Sequence, residues 1–270
     1  MVDEVQDLTT AEICLLLRVA RNKNGLFIFG DTAQTISRGV GFRFTDVRRS
    51  FHQEKEAVTP VLQQLSTNYR THDGIMCCSG KIVELLLEMY PSSVDRLDKP
   101  ERGHFPGPPP ALMPDQDVEA IVETMLAADD VGVLEMGANQ VVLVRSAKAK
   151  ESLPAALRRG LVLTIEESKG LEFDDVCLCN FCTDSPADRE WLVLYSLMPA
   201  ADPDADAAGS GGGGDDGERP QGVEFDELKH LLLVEELKYL YVALTRARKR
   251  VFLFDESSER RRPLFDYLHA

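Results

Sequence analysis

The adjacent carboxylates Asp3 and Glu4, followed by Gln6 and Asp7, are the first residues of this chain whose types and spacing could do chemistry. In a nucleotide-hydrolysing site one such carboxylate holds Mg²⁺ and the next orients or deprotonates the attacking water. The plainer alternative is an acidic turn. Gln34 follows a short apolar run, Leu26–Phe29, and the turn Gly30-Asp31. A Gln at the carboxyl end of a strand is placed to sense a terminal phosphate, because ligands of open α/β sheets bind there. Arg70, in Asn68-Tyr69-Arg70-Thr71, stands just before a helix start and can reach a phosphate, the alternative being a surface ion pair. The segment Thr164 to Phe173 follows another apolar run. Glu235 to Arg248 reads as an amphipathic helix with a basic end, an arrangement that the helix dipole favours in any case. A phosphate-cradling G-x-x-x-x-G-K-[ST] loop normally lies upstream of such a carboxylate pair. No such loop occurs in the 270 residues.

The elements that must position these residues are legible as apolar periodicity. Thr9-Thr10-Ala11-Glu12 is a capping box, and Ile13, Leu16, Leu17 and Ala20 then share one helical face. Leu26–Phe29 reads as a buried strand. Ile75, Cys78, Ile82, Leu85, Leu86 and Met89 form a second helical stripe, stopped by Pro91. Pro106–Pro110 is a stiff connector, and Val118, Ile121, Val122 and Met125 suggest a third helix. The runs at Gln140–Val144, Leu161–Ile165 and Val176–Phe181 read as strands, with a helix from about Ala147 to Leu157. A long helix carries Leu233, Leu237, Leu240, Tyr241 and Leu244 in register, and Val251–Phe254 closes as a strand. Alternating strands and helices imply an α/β fold with a mostly parallel sheet.

Composition bounds the function classes. The chain has 44% hydrophobic and 28% charged residues, enough for a real core. No run approaches the roughly 20 apolar residues that span a bilayer, and the acidic start is unlike a signal peptide. Six cysteines without a disulfide framework suit a reducing, intracellular compartment, nuclear or cytoplasmic. The net charge of −15 argues against a generally basic nucleic-acid binder. That charge is unevenly spread. Residues 199–226 hold eight carboxylates against Arg219, whereas Arg246, Arg248, Lys249, Arg250, Arg260, Arg261 and Arg262 make a basic tail. The Asp/Ala/Gly-rich stretch 199–222 is expected to be disordered. Cys177, Cys179 and Cys182 lack a second Cys/His pair at zinc spacing and read as small buried thiols. The five histidines form no evident catalytic set.

In this order, Asp-Glu-x-Gln-Asp, Gly-Asp-x-x-Gln-x-Ile, Asn-Tyr-Arg-Thr, Ser-Lys-Gly-Leu-Glu-Phe and Tyr-Val-Ala-Leu-Thr-Arg-Ala resemble motifs II to VI of the UvrD/Rep-like superfamily 1 helicases. The resemblance runs from residue 2 to about residue 254, and the last two boxes are its most specific. The wording around Glu167–Val176 is similar to the helicase modules of large eukaryotic TPR-and-ankyrin-repeat proteins. The resemblance implies a RecA-like P-loop NTPase architecture. Residues 1–60 would close the first RecA-like domain, 61–198 and 223–270 would build the second, and 199–222 would be a loop within it.

It also implies roles. Asp3 would bind Mg²⁺ and Glu4 would be the general base. Gln6 would couple nucleotide state to the nucleic-acid site. Gln34 and Arg70 would contact the γ-phosphate of ATP. Gly170 and Glu172 would lie beside the nucleotide, Glu172 near its sugar, and Arg246 would be an arginine finger. Thr164 and the loop after Gln34, with Arg38, Phe42, Arg43 and Phe44, would face single-stranded nucleic acid, DNA before RNA, by cationic contact and aromatic stacking. Core packing is the alternative for Phe42 and Phe44. Departures from the pattern are the phosphate loop, the strand that should carry Asp3, the short spacing between Arg70 and Thr164, and Glu166 where many members have His. The implied activity is ATP-dependent strand translocation, with this chain alone a poor ATPase. The alternatives are a helicase-fold scaffold within a larger repeat protein and a nucleotide sensor.

Overall fold

The computed structural model describes the chain except residues 38–39, 54–58, 114–138, 198–224, 257 and 270. Arg38, the helix expected around Val118–Met125 and the acidic stretch 199–222 lie outside the described residues. Five parallel strands form the main sheet: β3 (Ala111–Leu112), β4 (Gln140–Val144), β5 (Val162–Thr164), β6 (Phe173–Cys179) and β7 (Ala247–Phe254). Their order across the sheet is β3-β7-β6-β4-β5. A small parallel pair, β1 (Thr67–Asn68) with β2 (Arg102–Gly103), lies outside it. This is the α/β architecture with a parallel sheet expected from the alternating pattern.

All five residues of β4 are buried, as a strand covered on both faces requires. Side chains alternate between the two faces. Val141, Leu143, Val176 and Leu178 face the large core beneath α3 (Asp73–Met89), α6 (Asp188–Leu197), α7 (Leu231–Leu244) and α8 (Ser258–His269). Val142, Val144, Cys177, Cys179, Phe252 and Phe254 face a smaller cluster closed by Ala149 of α4 (Ala147–Ser152) with Leu153 and Leu157. The expected helix to Leu157 stops at Ser152 because Pro154 follows, and a 3₁₀ turn takes over at Leu157–Arg159.

Both β6 and β7 start before their apolar runs. Phe173 pairs with Ala247, and the charged residues between are absorbed by ion pairs. Arg250 holds buried Asp175 with bonds of 2.6 and 2.7 Å, and Gln140 Nε2 adds a third at 3.1 Å.

The N-terminal segment has its own apolar cluster. Val5, Ile13 and Leu17 meet Phe42, Val47 and Phe51, carried by α1 (Thr10–Val19) and α2 (Phe44–Gln53). The Thr9–Glu12 capping box is formed. One expectation is corrected here. Leu26–Phe29 is not a fully buried strand: it makes a single bridge at Ile28, and Phe27 and Phe29 are exposed. The partner in that bridge is Val2, which pairs parallel with Ile28 through Val2 N–H to Phe27 O (2.8 Å) and Phe29 N–H to Val2 O (2.9 Å). Asp3 and Glu4 therefore emerge beside Gly30 and Asp31.

Candidate functional site

Glu4 is in a left-handed conformation (φ 52°), an uncommon backbone for a non-glycine residue, and opens a 3₁₀ turn at Val5–Asp7. That turn buries Gln6 entirely. The Gln6 amide bonds in two directions: Nε2 donates to Glu4 Oε2, and Oε1 accepts from Asp31 N at 3.2 Å. Asp31 caps the next 3₁₀ turn, Thr32–Gln34, through Ala33 N at 2.9 Å. Its other oxygen accepts from Gln34 Nε2 at 3.1 Å and from Tyr241 OH at 2.9 Å. Burial, then the Asp31 charge, raises the Tyr241 hydroxyl well above its ordinary pKa, so it stays a donor.

Arg246 reaches this network from the end of α7. The helix ends at Leu244, and the next two side chains fold back to satisfy its last carbonyls. Thr245 Oγ1 donates to Tyr241 O at 2.9 Å, and Arg246 Nε donates to Val242 O at 3.1 Å. The remaining Arg246 contacts are Nη2 to Gln34 Oε1 at 3.1 Å, Nη2 to Thr245 Oγ1 at 3.3 Å and Nη1 to Leu171 O at 3.3 Å. The group is 3% exposed. Burial, then the neighbouring Arg70 charge, lowers its pKa from the ordinary arginine range. Arg70 Nη1 donates to Glu172 Oε1 at 2.7 Å and Nη2 to Thr245 O at 3.4 Å, while its buried Nε has no protein acceptor. One continuous chain of contacts thus runs from Glu4 through Gln6, Asp31, Gln34, Arg246 and Thr245 to the Arg70–Glu172 pair. Asp3 is exposed beside Glu4, whose N–H bonds Asp3 Oδ1 at 3.0 Å.

Three further residues belong to this cluster and had no role from sequence. Asp31 sat in a common Gly-Asp turn, and Tyr241 read as a core residue of its helix. Lys169 sat inside a motif without an assigned part, yet Lys169 Nζ bonds Asp7 Oδ1 and, at 2.8 Å, Gln34 O. The preceding Thr164 side chain caps the short helix α5 (Ile165–Ser168), accepting from Glu167 N at 3.2 Å. Gly170, at φ 79°, turns the chain toward Glu172.

Of the residues expected to face a single strand, Phe42 is 5% exposed and packs edge-on to Phe44 at 5.1 Å within the N-terminal cluster. Arg43 is engaged by Asp95 at 3.0 Å and by the Ser92 carbonyl. Both line a cleft of about 410 Å³, with Thr35, Ser93, Glu235 and Lys238 also on its walls. Glu166, on α5, accepts from Tyr239 OH, and the Arg145 guanidinium lies 3.7 Å over that ring while gripping Glu236. Cys177 and Cys179 are buried with their sulfurs 3.5 Å apart.

Residues 130–258 match the UvrD-like helicase C-terminal domain. The likeness read from the motifs of this chain is borne out. The matched range contains Thr164, Gly170, Glu172 and Arg246, whereas Asp3, Glu4, Gln6, Gln34 and Arg70 precede it. TPR and ankyrin repeat-containing protein 1 of Homo sapiens is 39% identical over 286 residues, covering 98% of this chain and 10% of the relative. The chain therefore spans a tenth of that curated relative, and the likeness to TPR-and-ankyrin-repeat proteins is likewise borne out. A solved structure, the C-terminal domain of a possible DNA helicase from Lactobacillus plantarum WCFS1, is 16% identical, covering 70% of this chain and 87% of that one with a TM-score of 0.33. Among the described residues, no helix is long and apolar enough to cross a membrane.

Proposed function

We propose that the chain is the C-terminal portion of an ATP-dependent helicase or translocase acting on single-stranded nucleic acid, DNA in preference to RNA. One observation carries the reading. Glu4, Gln34, Arg70, Glu172 and Arg246 come from separated segments and are joined in one hydrogen-bonded cluster through Gln6, Asp31 and Thr245. A surface salt bridge or a helix cap needs no such convergence.

The residues present fit the terminal-phosphate side of ATP·Mg²⁺. Asp3 offers an exposed carboxylate, and Arg70 Nε is buried with no acceptor from the protein. The phosphate loop is not among these 270 residues, so the chain supplies only that side of the site. When bound, ATP supplies the phosphoanhydride whose hydrolysis drives movement along the strand. In this reading Asp3 holds the metal ion, and Glu4 orients or deprotonates the attacking water. Gln34 and Arg70 reach the γ-phosphate, with Gly170 and Glu172 beside the nucleotide. Arg246 offsets the charge that develops on transfer, an effect worth roughly 10³–10⁵ in rate in GTPases. Gln6, bonded at once to Glu4 and to the Asp31 turn, links the carboxylates to the residues that follow Gln34. Arg43 and Lys238 of the cleft face the strand, and Thr164 and Arg38 are its further contacts in this reading. Residues 1–60 close the first RecA-like domain, and 61–198 with 223–270 form the second.

A second reading, a non-catalytic scaffold or nucleotide sensor within a repeat protein, is favoured by one observation: the Arg246 donors are already engaged by protein oxygens. Strand-stimulated ATP turnover separates the two. The 270-residue chain is expected to turn over ATP at background. A polypeptide in which a strand and a Gly-Lys-Thr loop precede it is expected to be stimulated by oligo-dT, and Arg246→Ala should abolish the stimulation. No turnover in the extended polypeptide sinks the enzyme reading and leaves the scaffold.

A further inference from the structure

Arg70 is held where it can choose between two anions. Its backbone is fixed by Asn68, whose Oδ1 accepts from Arg70 N and Thr71 N, both at 2.9 Å. Its guanidinium then grips Glu172 at 2.7 Å, with the buried Nε left without a partner. Carboxylates and phosphates compete for the same face of a guanidinium. The side chains of this pair are 33% and 41% exposed, so the bond adds little to fold stability. Its main effect is on how freely Arg70 takes another anion. The Glu172 side chain is 41% exposed and can rotate off Arg70 into solvent, while the backbone beside it stays fixed by Leu171 N to Ser168 O and Phe173 N to Arg246 O, both at 2.9 Å. The second guanidinium, Arg246, is tied to four protein oxygens and close enough to Arg70 for the two charges to repel. An anion arriving between them relieves that repulsion.

We infer that Glu172 is the internal counter-ion of Arg70, competing with an incoming phosphate and so setting the affinity of the cluster for polyphosphate. The inference rests on the reading of this cluster as a phosphate site. It gives Glu172 a part different from the sugar contact that the helicase resemblance implies.

Calorimetric titration of the full chain with sodium tripolyphosphate, and separately with ATP, each with Mg²⁺, tests it against Glu172→Gln and Glu172→Ala. Both variants are expected to bind both ligands about two- to fivefold more tightly. The gain should persist from about 0.1 M to about 0.5 M salt, because direct competition is screened far less than long-range charge. Weaker ATP binding with unchanged tripolyphosphate binding would overturn the inference in favour of a nucleoside contact. A gain that vanishes at high salt would overturn it in favour of bulk charge, and unchanged affinity for both ligands would overturn it outright. Arg70→Ala guards the underlying reading: if it alters binding of neither ligand, the phosphate-site reading falls and the inference with it.

Discussion

At the scale of single residues, burial decides what each charged group can do. Lys238 is 8% exposed on the wall of the cleft and donates to Ser93 O at 2.8 Å. Burial pushes its pKa down to about 8 from an ordinary 10.5. Below pH 8 the ammonium is present in both folded and unfolded chains, and its burial cost is paid in full. Between pH 8 and 10.5 the unfolded chain keeps a proton that the folded chain has lost, so this group makes stability rise with pH. The shift corresponds to roughly 3 kcal/mol. Lys238→Met is expected to be more stable than the parent at pH 7, with the advantage shrinking by about that amount at pH 10.5. Urea unfolding at both pH values measures it, and an advantage that does not change with pH refutes the assignment. The same logic explains Phe42. Its type and its place after Gln34 suggested stacking on a strand, and its ring is mostly buried in an apolar cluster with Val47 and Phe51 at the border of the cleft.

At the scale of elements, apolar periodicity located the helices well and charge hid the strand starts. The stripe from Ile75 to Met89 and the stripe from Leu233 to Leu244 are helices that stop where Pro91 and the Thr245-Arg246 turn require. The strands β6 and β7 start with Phe173 and Ala247 and carry Asp174, Asp175 and Arg248 to Arg250 near those starts. The apolar runs Val176–Phe181 and Val251–Phe254 leave these charges out, because Asp175 and the Arg250 that neutralises it lie 75 residues apart. The site behaves likewise. Its residue types were legible in the motifs, but Gln34 and Arg246 are 212 residues apart, and no local pattern states that they bond each other. Thr164 is the instructive case. Sequence placed it at a strand end facing nucleic acid, and its side chain caps α5. Thr164→Ala should cost about 1 kcal/mol in urea unfolding, the usual value of an N-cap, and Thr164→Ser should restore most of it. Equal stability of all three proteins would remove the cap from the account.

At the scale of the whole molecule, the N-terminal segment and the main sheet are joined by polar contacts more than by shared core. The cluster around Val5, Ile13 and Phe51 is separate from the large core, to which Ala33 and Ile36 contribute from this segment. The join is made by Lys169 to Asp7 and Gln34 O, Arg246 to Gln34, Tyr241 to Asp31, and Asp95 to Thr32 and Arg43. Interfaces of this polar kind let two parts of a chain move relative to each other. A nucleotide-driven motor needs such a joint, and a passive scaffold does not. Among the described residues Lys169 is the one cation that bonds both the turn after Glu4 and the turn at Gln34, so its removal should loosen the joint before it unfolds either side. Lys169→Met is expected to speed hydrogen exchange of the Val5, Phe29 and Gln34 amides about fivefold, the population shift from losing about 1 kcal/mol of polar contact. Amides of β4 and β6 should keep their protection. If every amide in the chain accelerates together, the two parts unfold as one unit and the polar contacts are not a joint.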